Sequence, residues 1–208
     1  MNSPKYDLKI FLDAASQVDL AEFIPVFHGW IQAQTLAELL IDVADYRHVH
    51  HGPGVVLIAH DAHYAMDEAE GRPGLLYSRR RETHLSRSVP QSLEARLRSV
   101  LHCTLTACQR LEADPALHGR LQFRGDTLQL RYNDRLPATS TTEAYEALHQ
   151  RLLPCLTTLY PGQRLEVTPL YTRDSRLTVT VSAAETPDVS TLLARLGGTT
   201  TESRGQAS

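Results

Sequence analysis

The spacing of apolar residues changes repeatedly along this chain between the period of a helix and the period of a strand. Ser88 to Glu112 has apolar residues three or four positions apart, which predicts a long helix with one buried stripe. Lys5 to Leu12 alternates apolar and polar residues instead, and this alternation predicts a strand. The chain must therefore combine helices with a sheet.

The same patterns predict the element order strand, helix, three strands, helix, hairpin, helix and hairpin. Val55 to Met66 is predicted as one strand, and Gly125-Asp126 is predicted as the turn of the second-to-last hairpin. Asp19 is the expected cap of the first helix, where Pro25 predicts a kink or a later start. Hairpins join antiparallel neighbours, so the predicted fold is an α+β domain: antiparallel sheet or sheets with about three helices packed on one face.

Composition predicts one domain followed by a tail. The chain has 208 residues, of which 42% are hydrophobic and 22% are charged, enough for a globular domain over residues 1–183. Residues 184–208 are rich in Thr, Ser, Gly and Pro, which predicts a polar and mobile C-terminal tail. Its apolar patch at Leu192, Leu193 and Leu196 predicts either a terminal helix or a segment that docks on another chain.

Charge and hydropathy exclude several function classes. The 21 Lys and Arg against 24 Asp and Glu give a net charge of −3, so no overall basic field attracts nucleic acid. No run approaches the ~18 apolar residues that cross a bilayer, and Met1 to Asp13 does not resemble a secretory signal. We therefore expect a cytoplasmic protein that binds neither nucleic acid nor a membrane.

Histidine is crowded into one segment, with five of the 10 between His48 and His63. Neutral imidazole is a common ligand of Zn, Cu, Fe and Ni. His48 and His50 point the same way on an extended segment, and together with His60 they are the predicted ligands of a divalent transition metal. Alternation along a strand places His63 on the opposite face from His60. No established metal-binding spacing occurs, so an exposed loop without a specific role is the simpler interpretation.

Residues 45–81 are also the predicted ligand-binding surface. Pairing around a tip at Glu70-Gly71 places Tyr64 opposite Tyr77. The Gly-Pro-Gly turn lets backbone amides approach a ligand, and nearby arginines can hold a carboxylate or phosphate. The predicted ligand-binding residues are Gly52, Gly54, Tyr64, Arg72 and Arg81.

No motif names a reaction, so more than one function class stays open. The preferred interpretation is an accessory or regulatory protein that binds a small ligand or a protein partner through the His-rich loop and hairpin of residues 45–81. The alternative is a metal-dependent hydrolytic enzyme with Asp61 or Asp67 as its base. A third class is a structural component of a larger assembly. A free sheet edge additionally predicts a homodimer.

Overall fold

The structure is a computed structural model that describes residues 6–80, 92–132, 141–171 and 177–198. These residues form eight strands and four α-helices, which confirms the predicted α+β class. The strands are β1 (Tyr6–Leu12), β2 (Leu40–Asp45), β3 (Val55–Ala59), β4 (Ala62–Asp67), β5 (Gly74–Arg79), β6 (Phe123–Tyr132), β7 (Leu165–Tyr171) and β8 (Leu177–Ala183). The helices are α1 (Phe23–Ala33), α2 (Leu93–Glu112), α3 (Thr141–Leu159) and α4 (Val189–Gly198), with 3-10 turns at Leu20–Glu22 and Ala69–Gly71.

All eight strands belong to one antiparallel sheet with the order β2-β3-β4-β5-β1-β6-β8-β7. Apart from the β2–β3 hairpin, the strand order is symmetrical about the central β1–β6 pair. The unit β1-α1-β4-β5-α2 and the unit β6-α3-β7-β8-α4 each arrange their strands in the same way. The β2–β3 hairpin is thus an addition to the first unit, and it carries the His-rich loop.

The two faces of the sheet differ in chemistry because side chains alternate along each strand. On one face, residues such as Leu8, Leu57 and Leu75 join all four helices in a single hydrophobic cluster. We call the other the polar face; it presents Asp7, Lys9, Asp67, Gln129, Arg131 and Thr178. All of these except Arg131 are buried. No helix in the described parts of the chain is both long and apolar enough to span a membrane.

The predicted strand from Val55 to Met66 is instead a hairpin of two strands, β3 and β4, with its turn at His60-Asp61. Four strands rather than three therefore follow α1. The hairpin pairs Leu57 with Tyr64, so both apolar segments lie on the core face. In an uninterrupted strand Leu57 and Tyr64 would face opposite sides. Every residue of β3 is apolar, so the sequence did not show which of its faces is the core face, and the hairpin was missed. The pairing of Tyr64 with Tyr77 is as predicted.

The predicted hairpin at Gly125-Asp126 is a single strand, β6. A Cβ atom on Gly125 would lie 1.8 Å from the carbonyl oxygen of Pro187. Glycine is therefore needed here because the backbone of Pro187 packs closely against β6, and not because the chain turns. Its carbonyl oxygen also accepts a 2.8 Å hydrogen bond from the hydroxyl of Tyr160. Arg124 and Asp126 lie two positions apart on the strand and form an ion pair.

Residues 189–198, which composition assigned to a mobile tail, form α4, a fourth helix where about three were predicted. Val189, Leu192 and Leu196 are buried, and α4 packs against α2 and α3. The apolar patch thus completes the core of its own chain. At the other end of the chain, the expected later start of the first helix is observed: Asp19 caps the 3-10 turn, and α1 begins at Phe23, so Pro25 lies in its first turn.

Candidate functional site

The three predicted metal ligands lie at opposite ends of β3. His48 and His50 are exposed in the His-rich loop, residues 46–54, which joins β2 to β3, whereas His60 follows β3. A strand of five residues spans ~17 Å at ~3.3 Å per residue, so β3 separates the imidazoles. Nδ1 of His60 instead lies 2.9 Å from Oδ1 of Asp61. Among the described residues, no group of three or more His, Cys, Asp and Glu side chains could hold a metal ion.

Gly52 and Gly54 have packing roles within the His-rich loop. The amide of Gly52 donates a 2.8 Å hydrogen bond to the carbonyl of Val49, so it is engaged inside the loop. A Cβ atom on Gly54 would lie 2.1 Å from the carbonyl oxygen of Met66, and the φ angle of Gly54 is +70°. Glycine is therefore required at position 54 by both space and backbone conformation. Both glycines nevertheless line a cleft beside the loop.

Two other predicted ligand-binding residues, Tyr64 and Arg72, do not line that cleft. The guanidinium carbon of Arg72 lies 3.7 Å from the centre of the Phe11 ring, a cation–π contact. Tyr64 is buried in the hydrophobic core. Arg81 lies outside the described residues.

An open cleft of about 610 Å³ lies between the His-rich loop and two other segments, residues 18–20 and residues 68–71. We call it the loop cleft. Two apolar side chains of the loop, Tyr46 and Val49, are 41% and 43% exposed and line it. Sequence patterns did not reveal the cleft, because its walls come from three segments that are distant in the chain.

Carboxylates dominate the charge of the loop cleft. Asp19, Glu68 and Glu70 line it, against Arg47 and His51. Arg47 donates hydrogen bonds of 2.9 and 2.8 Å to the two carboxylate oxygens of Asp45, and it lowers the pKa of Asp45 to about 2.

Glu68 and Glu70, in contrast, form no ion pair with any residue that the structure describes. The cleft therefore favours a cation.

Two residues that line the loop cleft have an unusual backbone conformation. Three non-glycine residues in the described parts of the chain have positive φ angles, and two of them, His51 (57°) and Glu70 (62°), line the cleft. This conformation costs a residue with a side chain roughly 1–2 kcal/mol. Strained residues of this kind are concentrated at functional sites.

A buried polar network that the sequence did not indicate surrounds Tyr64. The hydroxyls of Tyr64 and Tyr77 donate to the two carboxylate oxygens of Glu38, at 2.9 and 2.8 Å, and Nε of Arg79 donates to the Tyr77 hydroxyl at 3.0 Å. Burial raises the pKa of both tyrosines well above its ordinary value. Nη2 of Arg79 also donates to Oγ of Ser99 at 3.1 Å. The network satisfies its own donors and acceptors, so it anchors the fold.

No protein-family model, no curated protein and no solved structure matches the chain. The geometry of the loop cleft is therefore the basis for assigning a function.

Proposed function

We propose that this protein is a binding protein whose loop cleft takes a small ligand with a cationic amine beside an apolar group. The observation that carries the proposal is the left-handed backbone of His51 and Glu70, which both line one cleft. Such strain is retained where it positions a functional side chain. The cleft volume of about 610 Å³ also falls in the range typical of small-molecule sites.

The chemistry of the ligand follows from the lining. An ammonium group near Glu68 and Glu70 gains charge-assisted hydrogen bonds, which are roughly twice as strong as neutral ones. Tyr46 and Val49 offer apolar surface from the His-rich loop, and the ring of Tyr46 can also contact a cation. Arg47 is held by Asp45 and so does not neutralise the two glutamates.

The test uses phenethylamine, which carries an ammonium group and an aromatic ring, and its neutral analogue 2-phenylethanol. Titration is followed by the NMR amide signals of Gly52 and Gly71. We expect phenethylamine to shift both signals saturably and 2-phenylethanol to bind at least about tenfold more weakly. Glu68→Gln and Glu70→Gln should each weaken the binding of phenethylamine.

The matched control is Glu146→Gln, which neutralises an exposed glutamate on α3, far along the chain from the cleft. This variant should bind phenethylamine like the parent protein. Equal binding of the amine and the alcohol, or equal effects of all three substitutions, would contradict a cation-selective cleft. The metal-dependent activity, the homodimer and the cytoplasmic location stay predictions.

A further inference from the structure

Two side-chain oxygens on the polar face are buried without a hydrogen-bond partner: Oδ1 of Asp7 and Oγ1 of Thr178. Their residues are 6% and 1% exposed. An unsatisfied buried polar group costs about 1–3 kcal/mol, and native proteins contain few of them. Within the described ranges only Thr106 has another such atom. Two of the three therefore lie on one face of the sheet.

Arg131 stands between these two oxygens. Strand register places it directly opposite Asp7 on one side and directly opposite Thr178 on the other. Its guanidinium makes no hydrogen bond or ion pair with any described residue. Lys9, one row further along the sheet, differs because it is paired with Asp67. Asp7, Arg131 and Thr178 thus form a row across three neighbouring strands. In this row the carboxylate oxygen of Asp7, the guanidinium of Arg131 and the hydroxyl of Thr178 all lack a partner among the described residues.

A small cavity of about 20 Å³ opens at this row. Its lining includes Asp7, Lys9, Phe11, Gln129 and Arg131. A cavity of this size admits one water-sized group. An ammonium group has that size, and the rest of a bound molecule would extend out of the cavity towards Arg131, which lines it and is half-buried.

We propose that the polar face binds a small zwitterion, a free α-amino acid, with its ammonium group on Asp7 and its carboxylate on Arg131. Asp7 requires a donor and Arg131 requires an acceptor, and charged partners give the strongest hydrogen bonds to both. A ligand with a single charge would leave one of the two groups unpaired.

This site is separate from the loop cleft. Asp7 and Arg131 line the small cavity and not the cleft, whereas Glu68 lines the cleft and not the cavity. Glu70 borders both, so it is not used to distinguish them. Glu68→Gln should leave amino-acid binding unchanged even if the loop cleft binds amines.

The experiment titrates the full chain with glycine, with N-acetylglycine, which lacks the ammonium group, and with glycinamide, which lacks the carboxylate. Binding is measured by calorimetry and by the NMR amide signals of Arg131 and Thr178. We expect glycine to bind and each blocked analogue to bind at least about tenfold more weakly. Asp7→Asn and Arg131→Gln should each abolish the binding of glycine.

Asp7→Asn should at the same time raise the Tm, because a neutral amide is less costly to bury than an unpaired carboxylate. Asp42→Asn and Arg164→Gln are matched controls at exposed positions, and they should leave glycine binding unchanged. If Asp7→Asn does not fold, Arg131→Gln, at a half-buried position, still tests the site. Absence of glycine binding, equal binding of the blocked analogues, or binding retained in either site variant would overturn the proposal.

Discussion

The hydroxyl of Tyr77 donates a 2.8 Å hydrogen bond to Oε1 of Glu38, which joins strand β5 to the connection between α1 and β2. The second carboxylate oxygen accepts from Tyr64 on β4. Because the carboxylate and both hydroxyls are buried, this contact holds the start of the β2–β3 hairpin against β4 and β5.

Glu38→Ala should destabilise the protein by about 3 kcal/mol, because it leaves two buried hydroxyls without an acceptor. Urea unfolding monitored by circular dichroism measures the change. The control Glu146→Ala removes an exposed carboxylate on α3 and should change the free energy of unfolding by no more than about 0.5 kcal/mol. Equal effects of the two substitutions would show that the Glu38 network does not anchor the hairpin.

Gly54→Ala and Gly71→Ala separate backbone strain from steric contact. The φ angles are nearly equal, +70° and +68°, but a Cβ atom at position 54 would meet the Met66 carbonyl at 2.1 Å, whereas position 71 has nothing within 4 Å. We expect Gly71→Ala to cost about 1 kcal/mol and Gly54→Ala to cost at least about 2 kcal/mol more. Thermal unfolding of both variants tests this, and similar Tm values would contradict it.

The free energy of unfolding should fall as the pH rises above about 9. Burial raises the pKa of Cys155 from 9.0 to about 11, and it raises the pKa of Tyr64 and Tyr77 above 10.0. The folded state therefore holds these protons more tightly than the unfolded state. Their stabilising contribution is complete below the unfolded pKa and is lost as the pH climbs towards the folded value.

For each buried tyrosine the slope above pH 10 should reach at most about 1.4 kcal/mol per pH unit. Urea unfolding at a series of pH values measures the slope, and Tyr64→Phe should reduce it. A free energy of unfolding that does not change between pH 8 and pH 11 is incompatible with these pKa directions.

Leu192→Ala should cost about 2–5 kcal/mol, the range for a large side chain removed from a packed core. Leu192 is 1% exposed on α4, whereas the control residue Leu39 is 60% exposed beside β2. Leu39→Ala should change the free energy of unfolding by about 0.5 kcal/mol or less. A small effect of Leu192→Ala would mean that α4 does not contribute to the core.

The carboxyl of Asp45 should titrate at a pKa of about 2, because Arg47 donates hydrogen bonds to both of its oxygens. Arg47→Gln should return the pKa towards 3.8. The measurement is a pH titration of the side-chain ¹³C signal of Asp45 by NMR. A pKa unchanged by the substitution would indicate that Arg47 is free in solution and available to the loop cleft.

Local sequence patterns predicted best the elements whose partners are also neighbours in the chain. The pairing of Tyr64 with Tyr77 follows from a short connection between two strands, and the stripe of α2 follows from its own period. The same patterns wrongly predicted a turn at Gly125, where glycine is required by contact with Pro187, a residue far along the chain.

The candidate sites also depend on segments that are distant in the chain. Gly52 and Gly54 line a cleft, but its acidic character comes from Asp19, before α1, and from Glu68 and Glu70, between β4 and β5. Tyr64, a predicted ligand-binding residue, lies on the core face between Leu57 and Tyr77, and its buried hydroxyl donates to Glu38. A row such as Asp7, Arg131 and Thr178 exists only once three strands are placed side by side.

The sequence by itself determined the α+β class and the apolar side of each main helix and strand, because the period of apolar residues depends only on local geometry. Tertiary structure alone decided that α4 closes the core, that the histidines at the two ends of β3 stay apart, and that Asp7 lies opposite Arg131 on the neighbouring strand. A period defines which side of an element is apolar, but it carries no information about which distant segment will cover that side.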